Sequence, residues 1–227
     1  MIVFQKVVKS YGSGVNALNG LSIQIPERDF VFLVGSSGAG KTTVIRLINC
    51  DQRPTSGAIF VDGVNTGRLG RKDIPIFRRK IGVVHQDFKL LGDRTVGENI
   101  AFALRVVDDY GSNSRERILG ALETVGLDSK LNSYPEQLSG GERQRVAVAR
   151  CLVTNPSIVV ADEPTGNLDP DSGRETMNLL VRINAAGTTV IVATHNQALV
   201  DTMQRRVIAL ENGQVIRDER SGGYEGG

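Results

Sequence analysis

Short, nearly continuous apolar runs alternate along this chain with stretches of helical spacing. Phe30–Val34, Ile81–His85, Ile158–Ala161, Thr188–Ala193 and Val207–Leu210 have the length and character of strands buried on both faces. Helical patterns between them predict an α/β fold, a mostly parallel sheet covered by helices. The first part reads differently. Leu21-Ser22-Ile23-Gln24-Ile25 alternates strictly and Ser56–Gly63 ends in a turn, which predicts a small antiparallel sheet. From about Leu90 to Asn155 the strand signals vanish. Asn99–Val107 and Ser114–Val125 are helical in period and are separated by the polar turn 108–113, which predicts a helical insert. Asn212-Gly213 between apolar runs predicts a hairpin. The expected organisation is one domain over 1–220, with a core at about 1–88 and 157–216, a helical subdomain at about 89–156, and a flexible tail over 221–227.

Composition fits such a domain. A chain of 227 residues with 40% apolar and 23% charged content buries a substantial core, which excludes a disordered or fibrous protein. The net charge of +2 is too small to imply a nucleic-acid partner, and Arg71-Lys72 and Arg78-Arg79-Lys80 read as solvated faces. Cys50 and Cys151 lack metal-ligand spacing and read as buried reduced thiols, suited to a reducing cytosol. No apolar run approaches the roughly 20 residues that span a bilayer, and Met1–Lys6 lacks the architecture of a signal peptide. Membrane contact is therefore expected only through a partner.

The candidate chemistry begins where the first buried strand ends. Gly35-Ser36-Ser37-Gly38-Ala39-Gly40-Lys41-Thr42 matches the phosphate-binding pattern G-x-x-x-x-G-K-[ST], with Thr43 opening a helix behind it. Glycines let backbone N–H groups wrap a polyphosphate, Lys41 neutralises β/γ oxygens, and Thr42 offers its hydroxyl to Mg²⁺. Other polar residues sit just past other buried strands: Gln86, the pair Asp162-Glu163, and His195. In a parallel sheet those ends share one edge, where ligands of open α/β sheets bind. Asp162 is placed to hold Mg²⁺ opposite Thr42, with Gln86 a further oxygen donor to the ion or to water; Glu163 is placed to activate the attacking water, and His195 to donate to the γ-phosphate. Leu138-Ser139-Gly140-Gly141-Glu142 precedes an amphipathic helix and forms a second helix N-terminus suited to an anion.

Taken in order from Tyr11 to His195, these motifs resemble the nucleotide-binding cassette of ABC proteins. Gly35–Thr42 is similar to Walker A, Gln86 to the Q-loop, Leu138–Glu142 to the LSGGE signature, Ile158–Glu163 to Walker B, Gly166-Asn167-Leu168-Asp169 to the D-loop, and His195 to the H-loop switch. Tyr11 corresponds to the aromatic that stacks on adenine. The resemblance implies a P-loop NTPase fold with a RecA-like core, an ATPase using ATP and Mg²⁺, and a head-to-tail homodimer in the ATP-bound state. In that dimer the signature with Ser139, Gly140, Gly141 and Glu142 of one copy closes on the γ-phosphate bound by the other, and Asp169 of the D-loop joins the nucleotide-binding residues.

Ala161–Asp169 is similar to a subgroup of cassettes that serve membrane proteins in cell division, lipoprotein release and efflux. Asp87-Phe88-Lys89-Leu90-Leu91, Arg94-Thr95-Val96 and Glu98–Val106 point to the cell-division branch. That resemblance implies an FtsX-like integral membrane permease as partner, a place on the cytoplasmic face of the bacterial cell membrane at the septum, and control of peptidoglycan hydrolysis. A lipoprotein-release or efflux cassette and a weakly hydrolysing, nucleotide-gated scaffold stay open as alternatives. Three positions depart from the family pattern: His85 and Gly97 stand where an aromatic is usual, and Arg143 where glutamine is common.

Overall fold

The structure, a computed structural model, describes residues 1–12 and 14–225; Ser13, Gly226 and Gly227 lie outside the described residues. Strands β1 (Ile2–Ser10), β2 (Asn16–Ile25), β4 (Ser56–Val61) and β5 (Val64–Asn65) form the expected antiparallel sheet in the order β2-β1-β4-β5. The alternation in β2 explains its placement, because Leu21, Ile23 and Ile25 are buried while Ser22 and Gln24 are exposed.

A second sheet runs β10-β9-β3-β8-β7-β6, where β3 is Phe30–Val34, β6 Ile81–His85, β7 Ile158–Asp162, β8 Thr189–Ala193, β9 Arg206–Glu211 and β10 Gln214–Glu219. All neighbours are parallel except the β9–β10 hairpin, whose Asn212 and Gly213 adopt φ 48° and 75°, the left-handed pair that a two-residue turn needs. The period of two divides each central strand between two cores. Phe30, Phe32, Val34, Val159, Ala161, Val190 and Val192 face one cluster, and Val31, Leu33, Ile158, Val160, Ile191 and Ala193 face the other. Both faces being covered is why these strands read as continuous apolar runs. Each fully buried residue such as Phe32 contributes about 2 kcal/mol from area removed from water.

Helix α1 (Lys41–Ile48) lies in the cluster shared with the antiparallel sheet, and the short α2 (Asp73–Arg78) adds Phe77 to it. Helices α3 (Val96–Val106), α4 (Ser114–Thr124) and α5 (Gly140–Leu152) occupy the chain between β6 and β7 and pack on one another. They share the opposite cluster with α6 (Pro170–Ala185) and α7 (Gln197–Met203). Gly97 in α3 has a local reason: a Cβ there would lie 2.7 Å from Leu131 Cδ1, so Leu131 fills the space an aromatic would need. Burial pushes the Cys50 thiol up to about 11 and Cys151 up to about 12, which keeps both protonated and inert.

Within the expected tail 221–227, the Tyr224 N–H donates to Asp201 Oδ1 at 2.6 Å, Arg217 donates to the Gly223 carbonyl at 2.8 Å, and the Tyr224 ring packs on the core, while Gly226 and Gly227 lie outside the described residues.

The contact between β6 and α5 sets a steric limit. A Cβ on Gly82 would sit 1.9 Å from Cys151 Sγ and 3.2 Å from Pro156 Cγ. Gly82→Ala is expected to cost about 2 kcal/mol through overpacking, lowering Tm by about 6 °C for a chain of this size. Adding Cys151→Ala removes the obstructing sulfur, so thermal unfolding of the double variant should recover most of the loss.

Candidate functional site

The phosphate-binding loop leaves β3 at Gly35, whose φ is 140°; a Cβ there would lie 2.2 Å from the Leu210 carbonyl oxygen on β9. Gly40, at φ 109°, passes the Ala17 carbonyl so closely that a Cβ would meet it at 2.8 Å. Glycine is required at both places by conformation and by space. Lys41 then starts α1, so the unpaired N–H groups of its first turn face the loop. Lys41 Nζ donates to the Gly35 carbonyl at 2.7 Å and to the Ser36 carbonyl at 3.1 Å, and Ala39 closes the turn by donating to the Ser36 carbonyl. Thr43 is buried with the Tyr11 hydroxyl 3.5 Å from its own, and Lys9 Nζ stands 5.0 Å from the centre of the Tyr11 ring.

Strand register brings the acids to this loop. His85 pairs with Asp162, and Asp162 with Ala193, so the carboxyl ends of β6, β7 and β8 are level. Asp162 Oδ1 accepts from the Thr42 hydroxyl at 3.4 Å. Burial raises the Asp162 carboxyl above the usual carboxylate range, the Thr42 hydrogen bond pulls it back, and the adjacent Glu163 pushes it up again. Glu163 sits at φ 48°, a left-handed conformation costing on the order of 1 kcal/mol in a non-glycine residue. Its N–H donates to the Ala193 carbonyl at 2.9 Å, its own carbonyl accepts from Gly166 at 3.1 Å, and its carboxylate reaches His195: Oε1 is 2.7 Å from Nδ1, and Oε2 accepts from the His195 N–H at 3.3 Å.

The resulting cleft, about 570 Å³, is lined by Ser37, Gly38, Gly40, Lys41, Thr42 and Thr43 on one side and Asp162, Glu163 and His195 on the other. A lysine, a helix N-terminus and two hard oxygens facing a pair of acids can hold a polyphosphate and its cation and present a base to water. Thr42 and Asp162 are the residues that fit Mg²⁺, a hard cation that takes one or two protein oxygens and draws its remaining ligands from water and phosphate.

Other expected site residues lie around this cleft rather than in its lining. Gln86 Nε2 donates to Asn167 Oδ1 at 3.2 Å while Asn167 Nδ2 donates to the Gln86 carbonyl at 3.1 Å, so the glutamine is locked to the segment after β7. Asp169 caps α6, accepting from the Asp171 and Ser172 N–H groups, and the Ser172 bond holds its carboxyl below the usual range. Ser139 caps α5 in a reciprocal capping box with Glu142. The Ser139 N–H and Lys130, 3.1 Å away, lower the Glu142 carboxyl in turn. The Ser139–Glu142 turn borders Leu168 and Ser172, outside the cleft of its own chain. Arg143, the third departure, lays its guanidinium over Phe88 at 5.4 Å and donates to the Leu138 carbonyl at 2.9 Å.

Ala17 and Gln144 belong to the site's surroundings and were not singled out from the sequence. Ala17 lines the cleft from β2, and Gln144 donates to the Pro164 carbonyl beside Glu163 at 2.7 Å. The readable signal for Gln144 is a glutamine on the otherwise small and apolar stripe Gly141, Gln144, Val148, Cys151 of α5.

A P-loop nucleotide-binding fold with these strand-end residues defines the class, and the ABC transporter family model matches residues 18–166; the chain belongs to this family. Among its relatives, the cell division ATP-binding protein FtsE of Bacillus subtilis is 51% identical over 99% of this chain and 98% of its own length. The proteins of that name from Mycobacterium tuberculosis and Escherichia coli K12 are 46% and 41% identical, over 99% and 95% of this chain and 98% and 97% of theirs. Among solved structures, a dimeric post-hydrolysis state of the ATP-binding cassette MJ0796 bound to ADP and Pi aligns with TM-score 0.86 at 37% identity, covering 97% of this chain and 98% of the other. Among the described residues no helix is long and apolar enough to cross a membrane.

Proposed function

We propose that this chain is the ATP-hydrolysing subunit of a membrane complex of the FtsE–FtsX kind, in which closure of an ATP-bound dimer drives a permease that regulates peptidoglycan hydrolysis during division. The observation that carries the hydrolytic part is the Glu163 carboxylate, held 2.7 Å from His195 Nδ1 and across the cleft from Lys41 and Thr42. In this reading Glu163 takes the proton of the attacking water, His195 orients Glu163 and contacts the γ-phosphate, and the loop Gly35–Thr43 binds the α-, β- and γ-phosphates. Tyr11 stacks on adenine. Thr42 and Asp162 would hold Mg²⁺, with the Gln86 amide oxygen a further donor once the segment after β6 moves toward the cleft, and the ion would supply charge neutralisation at the phosphates.

Ser139, Gly140, Gly141, Glu142 and Asp169 serve the site of a second copy. Their exclusion from the cleft of their own chain supports a head-to-tail homodimer, as does the dimeric state of the aligned cassette. The segment 89–156 acts as a helical subdomain on the core at 1–88 and 157–216, and couples the nucleotide site to the permease at the cytoplasmic face of the cell membrane.

The partner assignment is tested by crosslinking the Glu163→Gln chain in native membranes with ATP and identifying the bound membrane protein by mass spectrometry. A small FtsX-like permease is expected. A lipoprotein-release or efflux permease would move the chain to that function, and ATP-dependent dimers with no membrane partner would reduce it to a nucleotide-gated scaffold.

A further inference from the structure

Helix α5 starts at the Ser139–Glu142 turn and runs behind the catalytic acid. Its first turn is jammed against α6, since a Cβ on Gly141 would lie 2.5 Å from Ser172 Oγ. One turn further along the same stripe, Gln144 is 0% exposed and donates from Nε2 to the Pro164 carbonyl at 2.7 Å. Pro164 is the residue after Glu163, so this bond joins the helix to the peptide that follows the acid. Gln144 Oε1 is buried with no partner among the described residues. A primary amide half-satisfied in the core is a stability cost, and its one polar contact is the carbonyl beside Glu163.

Glu163 is already pinned by its N–H at Ala193 and its carbonyl at Gly166, in a left-handed conformation that needs outside support. Gln144 adds the only link in this set that comes from α5. Ser139 and Gln144 are five residues apart on one rigid helix, so a shift at the helix N-terminus displaces the amide with it. We infer that Gln144 is a positioning residue that couples the Ser139–Glu142 turn of one copy to Glu163 of the same copy. Engagement of that turn with nucleotide held by the second copy is thereby registered at the first copy's own acid, and the two sites of the dimer fire cooperatively. The inference rests on the head-to-tail dimer proposed above.

The experiment uses the full chain, with its membrane partner where turnover requires it. ATP hydrolysis against ATP concentration, binding of a fluorescent ATP analogue and thermal unfolding are measured for wild type, Gln144→Met, Gln144→Glu and Thr176→Val. Gln144→Met keeps the volume and removes the donor; it should bind nucleotide within about twofold of wild type while kcat falls about tenfold and the Hill coefficient drops toward one. Thr176→Val, which removes the other buried side-chain polar atom without a partner among the described residues, should leave kcat and the Hill coefficient unchanged. In Gln144→Glu a protonated carboxyl can donate to Pro164 and an ionised one cannot, so kcat should fall as pH rises, on a limb absent from wild type. A folded Gln144→Met chain with wild-type kcat and Hill coefficient overturns the inference, whatever its Tm. If that variant does not fold, a Gln144→Glu profile lacking the extra limb overturns it. A wild type that forms no ATP-driven dimer overturns the proposed function itself, and a wild-type dimer with a Hill coefficient of one overturns only the coupling.

Discussion

Glu163→Gln should reduce ATP hydrolysis by about 10²- to 10⁴-fold, the range ascribed to a positioned general base, while ATP still binds and the ATP-bound dimer accumulates. The structure explains why the loss is confined to chemistry. Glu163 Oε2 accepts from the His195 N–H, a role the amide oxygen of glutamine keeps, and the amide nitrogen can face His195 Nδ1 at the place Oε1 occupies. The backbone bonds at Ala193 and Gly166 do not involve the side chain. On the role proposed for Glu163, what disappears is a basic oxygen and a negative charge facing the γ-phosphate, so hydrolysis should be lost and repulsion of the triphosphate relieved. Size-exclusion chromatography with ATP should show a dimer for the variant where wild type turns over and dissociates. Near-normal turnover in Glu163→Gln would remove Glu163 from its role as base.

The elements that carry the site were legible because each is specified locally. β3 and β8 are buried on both faces and read as apolar runs, the Asn212-Gly213 turn needs two left-handed residues, and the loop at Gly35–Thr42 announces itself by glycines, of which Gly35 and Gly40 have no room for a Cβ and Gly38 has a positive φ. The placing of Gln86, Asp162, Glu163 and His195 on one edge was read from parallel strands alone, and each of them ends or directly follows β6, β7 or β8, whose carboxyl ends are level. Contacts specified by tertiary approach were not readable. The reciprocal bonds between Gln86 and Asn167 join residues 81 apart, and nothing in either neighbourhood encodes the pairing. The docking of Tyr224 is another case: Ser221-Gly222-Gly223 has the composition of a loose tail, yet Asp201 on α7 accepts from the Tyr224 N–H, while the nearby Arg217 on β10 donates to the Gly223 carbonyl. Gly97 reads as a departure from a family pattern until Leu131 is seen against it.

Lys41→Ala should weaken ATP binding by about 3 kcal/mol, roughly 100-fold in Kd, because a phosphate charge held in the cleft loses its close counter-ion. The loop itself does not depend on the lysine. Its course is fixed by Gly35 against Leu210, Gly40 against Ala17, and the Gly213 N–H donating to the Ala39 carbonyl at 3.2 Å. The two bonds from Lys41 Nζ go to the carbonyls of Gly35 and Ser36 at the mouth of the cleft, where water replaces them at little cost. Removing the side chain should therefore shift Tm by little without nucleotide, while the Tm gain on adding ATP shrinks with the lost affinity. Comparing thermal shifts at several ATP concentrations separates the two effects in one experiment. An unchanged ATP-dependent shift in Lys41→Ala would mean that the triphosphate is held elsewhere, and the role of the Gly35–Thr42 loop would fall with it.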